Sequence, residues 1–174
     1  MNYIKITKND IANGPGVRVT LWVSGCSLHC KGCHNPQTWD FNAGKPFDAV
    51  AKQELFDALS KSHVQGLSIS GGHPLEFPNL VGVARLVTEV KKQFPDKDIW
   101  LYTGLTLSID DFILPEETYS IISAILCRCD VVVDGPYIEE QRDITLPFRG
   151  SSNQRLIDVK ETIKQCQIIQ YKIN

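Results

Sequence analysis

Apolar positions along this chain fall into short runs that alternate with stretches of helical spacing. Residues 17–24 (VRVTLWVS) form a β-branched, apolar run that stops at Gly25, which predicts a buried strand feeding a loop. Over 47–60 the apolar residues Val50, Leu55, Phe56 and Leu59 recur at helical spacing, and 66–70 (GLSIS) then predicts a short strand stopped by Gly71 and Gly72. The pattern repeats twice. Residues 80–94 predict an amphipathic helix closed by Pro95, 99–102 a strand ending near Gly104, 116–126 another helix, and 130–133 another strand ending at Asp134-Gly135. Beyond Gly135 the pattern weakens into a polar stretch over 139–154, with a last strand expected around 168–173.

One strand followed by three helix–strand units implies an α/β fold with a mainly parallel, open sheet covered by helices. Ligands of such sheets bind beyond the carboxyl ends of the strands. Each expected strand ends in a polar or glycine-bearing segment: Ser24-Gly25-Cys26, Ser70-Gly71-Gly72-His73, Tyr102-Thr103-Gly104 and Asp134-Gly135-Pro136. Those four loops are expected to meet at one site. Neither a linker nor a repeat interrupts the pattern, so 1–174 is expected to form a single domain, a size compatible with one ordinary core.

Charge changes the picture by exclusion. Eighteen basic against 20 acidic residues, with no long basic run, give no reason to expect a nucleic-acid partner. The first residues lack the apolar stretch of a signal peptide and no segment approaches a membrane span, so a cytoplasmic protein is expected. Six cysteines in a reducing compartment then point to metal or redox work more than to disulfides. Three of them, Cys26, Cys30 and Cys33, share a C-x3-C-x2-C loop, while Cys127, Cys129 and Cys166 form no second motif. Thiolates suit iron–sulfur clusters or zinc, and three of them leave one metal position open. A Cys3His zinc site completed by His29 or His34 is the alternative on this loop.

The Cys26 loop resembles the cluster motif of the radical S-adenosylmethionine superfamily. Before it, Asn13-Gly14-Pro15-Gly16-Val17-Arg18 is similar to the D-G-P-G-I/V-R segment of glycyl-radical-enzyme activases. The runs from Asp130 to Tyr137 and from Phe148 to Arg155 resemble the activating proteins of anaerobic (class III) ribonucleotide reductases. Two departures stand out: His73 in Gly71-Gly72-His73-Pro74, where the resemblance expects G-G-D/E-P, and Pro136 where relatives often carry lysine.

That resemblance implies a partial (βα) barrel of the radical S-adenosylmethionine type. It also implies one 4Fe–4S cluster held by Cys26, Cys30 and Cys33, with S-adenosylmethionine on the open iron. Reductive cleavage of that cofactor then yields a 5′-deoxyadenosyl radical, which abstracts hydrogen from a glycine of the large subunit of the anaerobic ribonucleoside-triphosphate reductase. Flavodoxin or a similar low-potential donor is the implied source of the electron. No residue beyond the cluster and cofactor is expected to be catalytic. Cofactor contacts are expected from Gly32, Cys33, His34, Gly71, Gly72, His73, Tyr102, Thr103, Asp134 and Arg149. Several of these read as well without a ligand: Gly71-Gly72 as a strand-to-helix turn, Thr103 as a helix cap, Asp134 as an Asx turn, and His34 as an exposed or supporting histidine. An activase of pyruvate formate-lyase, and a non-catalytic iron–sulfur or zinc-binding module, are the competing functional readings.

Overall fold

The computed structural model describes residues 1–113 and 120–173. Seven strands form one sheet: β1 (Asn2–Asp10), β2 (Val17–Val23), β3 (Lys45–Pro46), β4 (Val64–Gly71), β5 (Asp98–Tyr102), β6 (Val131–Asp134) and β7 (Arg155–Asp158). Helices α1 (Ala49–Leu59), α2 (Phe77–Gln93) and α3 (Ile121–Leu126) alternate with β4, β5 and β6, and α4 (Val159–Gln165) follows β7. The spatial order is β3-β1-β2-β4-β5-β6-β7. The central strands β2, β4, β5 and β6 are mutually parallel, and antiparallel pairs β1–β2 and β6–β7 flank them. The sheet is thus mostly parallel and open, with β3 at one edge and β7 at the other.

The expected β(αβ)3 order is present. Asp48 caps α1, its carboxylate accepting from the Ala51 amide at 2.9 Å, which starts the helix two residues after the expected position 47. Helix α2 begins three residues before the expected 80, at Phe77, with Pro78 tolerated in its first turn. Of the helix expected over 116–126, the portion 116–119 lies outside the described residues and Ile121–Leu126 is helical, with Ser120 as its cap. The last strand is a correction. It runs over Arg155–Asp158, and the expected 168–173 meets it only through an isolated antiparallel bridge between Ile157 and Gln170. Only two apolar residues, Leu156 and Ile157, stand in β7, too short a run to signal a strand.

Successive residues of a strand face opposite sides of a sheet. On the helix-covered side Val19, Leu21, Leu67, Ile69, Ile99, Leu101 and Val132 are fully buried in the main core. Each such Leu or Ile contributes roughly 1.5–3 kcal/mol by leaving water. On the other side Trp100, Val131, Val133 and Leu156 make a smaller apolar cluster, joined by Phe148 and Tyr171, whose rings each stand edge-on to Trp100 at 5.4 Å. Arg18 shares this side and is fully buried. Its guanidinium pairs with Asp98 at 2.6 Å and donates to Ser68 Oγ at 2.8 Å and to the Pro15 carbonyl at 3.3 Å. A buried charge requires such partners, and these tie the Gly14-Pro15-Gly16 loop to β4 and β5.

Candidate metal and cofactor site

A cavity of about 490 Å3 opens at the carboxyl ends of β2, β4, β5 and β6. Residues from all four of the expected loops line it: Cys26, Gly71 to His73, Thr103 and Gly135. Its floor is the inner face of the sheet at Trp22, Ser70 and Tyr102.

The cysteine loop is anchored at its root. The Gly25 amide donates to the Thr38 carbonyl at 2.7 Å and the Cys26 amide to the Trp39 carbonyl at 3.1 Å. His29 takes the left-handed region, φ +46°, and its ring lies on Trp39 at 4.6 Å. Cys26, Cys30 and Cys33 are all partly exposed and all line the cavity. Partial burial pushes the Cys26 thiol pKa up, against hydrogen bonds from the loop backbone that pull it down. The Asn35 amide points at Cys33 Sγ at 3.4 Å, an interaction that favours sulfur carrying negative charge. Among the described residues no three His, Cys, Asp or Glu side chains converge as ligands of a single metal ion. The three thiols share the lining of one cavity.

Gly71 and Gly72 are explained first by the protein's own packing. A Cβ on Gly72 would stand 2.5 Å from the Gly25 carbonyl oxygen, and one on Gly71, at φ +102°, 2.7 Å from that of Val23. Only residues without side chains let the end of β4 lie this close to the root of the cysteine loop. The Gly72 amide then donates to Val23 O at 2.8 Å and the His73 amide to Gly25 O at 2.7 Å.

His73, the departure from the acidic pattern, is buried beside Thr103 and Glu76. Its Nε2 is 2.8 Å from Thr103 Oγ1 and its Nδ1 3.4 Å from Glu76 Oε1. Because a carboxylate only accepts, the network assigns the proton to Nδ1, and Nε2 accepts from the Thr103 hydroxyl. Burial holds the imidazole below its usual pKa despite the neighbouring carboxylate. Tyr102 and Arg149 also line the cavity. The Tyr102 hydroxyl, Arg149 Nε and Trp39 Nε1 are buried without a hydrogen-bond partner among the described residues. Burial raises the Tyr102 pKa, so the hydroxyl keeps its proton. His34 lines the rim and packs on Tyr137 at 5.5 Å.

A family model described as a 4Fe-4S single cluster domain matches residues 12–157. The anaerobic ribonucleoside-triphosphate reductase-activating protein of Haemophilus influenzae is 42% identical over 156 residues, covering 88% of this chain and 96% of the relative. That of Vibrio cholerae is 43% identical over 157 residues with the same coverage, and that of Enterobacteria phage T4 is 42% identical, covering 90% of this chain and 93% of the relative. The chain belongs to the anaerobic ribonucleoside-triphosphate reductase-activating proteins.

In this activating protein two expected cofactor residues stand apart from the cavity. Asp134 lies on the same side of β6 as Val132, turned into the fold, where it is fully buried. Its carboxylate forms an ion pair with Arg155 and accepts from the Leu107 amide at 2.9 Å. Gly32 has φ +72°, and a Cβ there would press on the Glu139 carboxyl group at 2.9 Å. The sequence reading assigned no role to Trp22, Leu28, Trp39, Tyr137 or Gln154, all of which line the cavity. Tyr137 ends the Asp130-to-Tyr137 run and Gln154 lies in the Phe148-to-Arg155 run, so both stand in motifs that gave them no role of their own. Leu28 is 40% exposed, with no periodic pattern to mark it. Cys127, Cys129 and Cys166 sit elsewhere: the first two thiols contact the Phe112 and Ile125 carbonyls, and Cys166 ends α4 at the surface. No helix among the described residues is long and apolar enough to cross a membrane.

Proposed function

We propose that this chain activates an anaerobic ribonucleoside-triphosphate reductase, holding a 4Fe–4S cluster on Cys26, Cys30 and Cys33 and S-adenosylmethionine in the adjoining cavity. What carries this reading is the meeting of three thiols with a cavity of about 490 Å3 whose buried Tyr102 hydroxyl and Arg149 Nε have no partner among the described residues. Buried polar atoms are costly without partners, so the cavity is suited to a ligand that is itself polar. The group fits the residues present.

Held there, a reduced cluster would supply one electron for breaking the cofactor's carbon–sulfur bond, and hydrogen abstraction from a glycine of the reductase would leave 5′-deoxyadenosine and the glycyl radical. The protein's own part is binding, orientation and exclusion of water. Arg149 Nε, buried without a partner among the described residues while Nη1 donates to the Gln154 carbonyl at 3.2 Å, is placed to meet a carboxylate. In this reading it takes up the charge pairing that Pro136 forgoes. Tyr102 offers a hydroxyl at the floor, and the apolar surfaces of Trp22 and Phe148 in the lining disfavour water. Thiolates at the open mouth leave a path for an electron from flavodoxin or a similar donor. The open sheet is read as the partial barrel of the radical S-adenosylmethionine type, formed by 1–174 as a single domain.

The test is anaerobic reconstitution with iron and sulfide, then dithionite and S-adenosylmethionine, with 5′-deoxyadenosine and the glycyl doublet as readouts. The expected result is deoxyadenosine from the protein alone and the doublet on the reductase. A doublet on pyruvate formate-lyase with none on the reductase would overturn the choice of partner, and an iron-loaded protein that makes no deoxyadenosine would overturn the chemistry.

A further inference from the structure

Glu76 occupies the position that caps α2, yet its side chain makes no bond to the helix it begins. A residue there usually accepts from the first turn's amides. This carboxylate turns back to the cysteine loop instead. Its Oε1 accepts from the Ser27 amide at 2.9 Å and from the Ser27 hydroxyl at 2.5 Å, one residue after Cys26, and stands 3.4 Å from His73 Nδ1. His73 continues the chain to Thr103 at the end of β5. A line of polar contacts therefore runs from Thr103 at the end of β5 through His73 and Glu76 to Ser27 of the cysteine loop. Asn79, one turn into α2, holds the same corner by donating to the Ser24 and His73 carbonyls at 2.9 and 3.1 Å.

We propose that Glu76 is a positioning residue for the cysteine loop: its carboxylate holds Ser27, and hence Cys26, in place, and its negative charge lowers the reduction potential of a cluster on that loop. The orientation of the side chain carries this: it takes both donors of Ser27 and makes no bond to the first turn of its own helix. Hydrogen bonds to an ionised acceptor are stronger than those between neutral groups, so one carboxylate suffices to order a loop that has little apolar burial of its own. A fixed negative charge beside a cluster opposes the addition of an electron. The position at which the resemblance expects an acid holds His73, and the acid of this corner stands three residues later.

The effect on potential rests on the cluster assignment above; the effect on the loop does not. Glu76→Ala and Glu76→Gln separate the two. In the protein without iron, amide hydrogen exchange at Ser27 should quicken at least about tenfold in Glu76→Ala, the loss expected of a hydrogen bond to a charged group. Glu76→Gln, whose amide oxygen still accepts, should restore most of that protection. After reconstitution, Glu76→Gln should keep full iron while its reduction potential moves positive of wild type, and Glu76→Ala should release iron to a chelator several-fold faster. Unchanged Ser27 exchange in Glu76→Ala would overturn the positioning role, and an unchanged potential in an iron-replete Glu76→Gln would overturn the electrostatic one. Failure of the wild-type protein to bind iron would strike the cluster assignment, leaving the exchange measurement to decide the loop.

Discussion

On the helix-covered side of the sheet β2, β4, β5 and β6 present Val19, Leu21, Ile69, Leu101 and Val132, each fully buried and apolar. On the other side the same strands present the buried polar residues Arg18, Thr20, Ser68 and Ser70 beside the smaller apolar cluster of Trp100, Val131 and Val133. The first face, with the main core, supplies most of the hydrophobic free energy that holds the sheet. The other carries buried polar groups at a cost, and at its carboxyl end some of them stay unpaired where the cavity opens. Stability and site are thus separated by strand parity, and substitutions on the two faces should have different signatures.

The largest expected effect is at the cavity mouth. Cys30→Ala should abolish cluster binding and all deoxyadenosine formation, while the apoprotein unfolds in urea within about 1 kcal/mol of wild type because the side chain is partly exposed. Cys129→Ala, behind the sheet, should keep its iron; loss of iron there would break the separation. Next is Leu101→Ala on the apolar face, expected to cost about 2–5 kcal/mol in urea unfolding while the cluster's paramagnetic resonance stays as in wild type. A changed spectrum would mean that the two faces are coupled.

Tyr102→Phe sharpens the comparison from the polar side. Removing a buried hydroxyl without a partner should leave stability unchanged or raise it by up to about 1 kcal/mol, and should weaken S-adenosylmethionine binding by about fivefold to tenfold. Equilibrium dialysis on the reconstituted protein measures the second effect. The smallest effect belongs to His73. Burial lowers its folded pKa, so the stability from its neutral form is whole above the unfolded value of about 6.5 and is lost as pH falls from there to the lower folded value. Urea unfolding of the apoprotein between pH 7.5 and 5.5 should show a steeper decline in wild type than in His73→Gln, and equal slopes would refute the assignment of a buried neutral imidazole.

Among the strands, β2, β4, β5 and β6 were legible because each is a short run of apolar residues, continuous or alternating with polar ones, that ends at a glycine or polar stop. The outer strands β1 and β7 were not. β1 mixes polar and apolar residues and is only half-buried, and β7 carries two apolar residues; both owe their form to partners distant in the chain. Among the candidate site residues Cys26, Cys30, Cys33, His34, Gly71, Gly72, His73, Tyr102, Thr103 and Arg149 were brought to one cavity, as expected of loops at strand ends.

By itself the sequence determined the cysteine spacing, the order of helices and central strands, and the end of the sheet at which the loops gather. Each of these is carried by neighbouring residues and by the handedness and direction that a parallel sheet imposes. Tertiary structure alone decided which way Asp134 faces, since a single step along a short strand exchanges cavity for core. It also decided that Gly72 makes room for Gly25 and that Glu76 reaches Ser27, contacts 47 and 49 residues apart whose geometry exists only once β2 and β4 lie side by side.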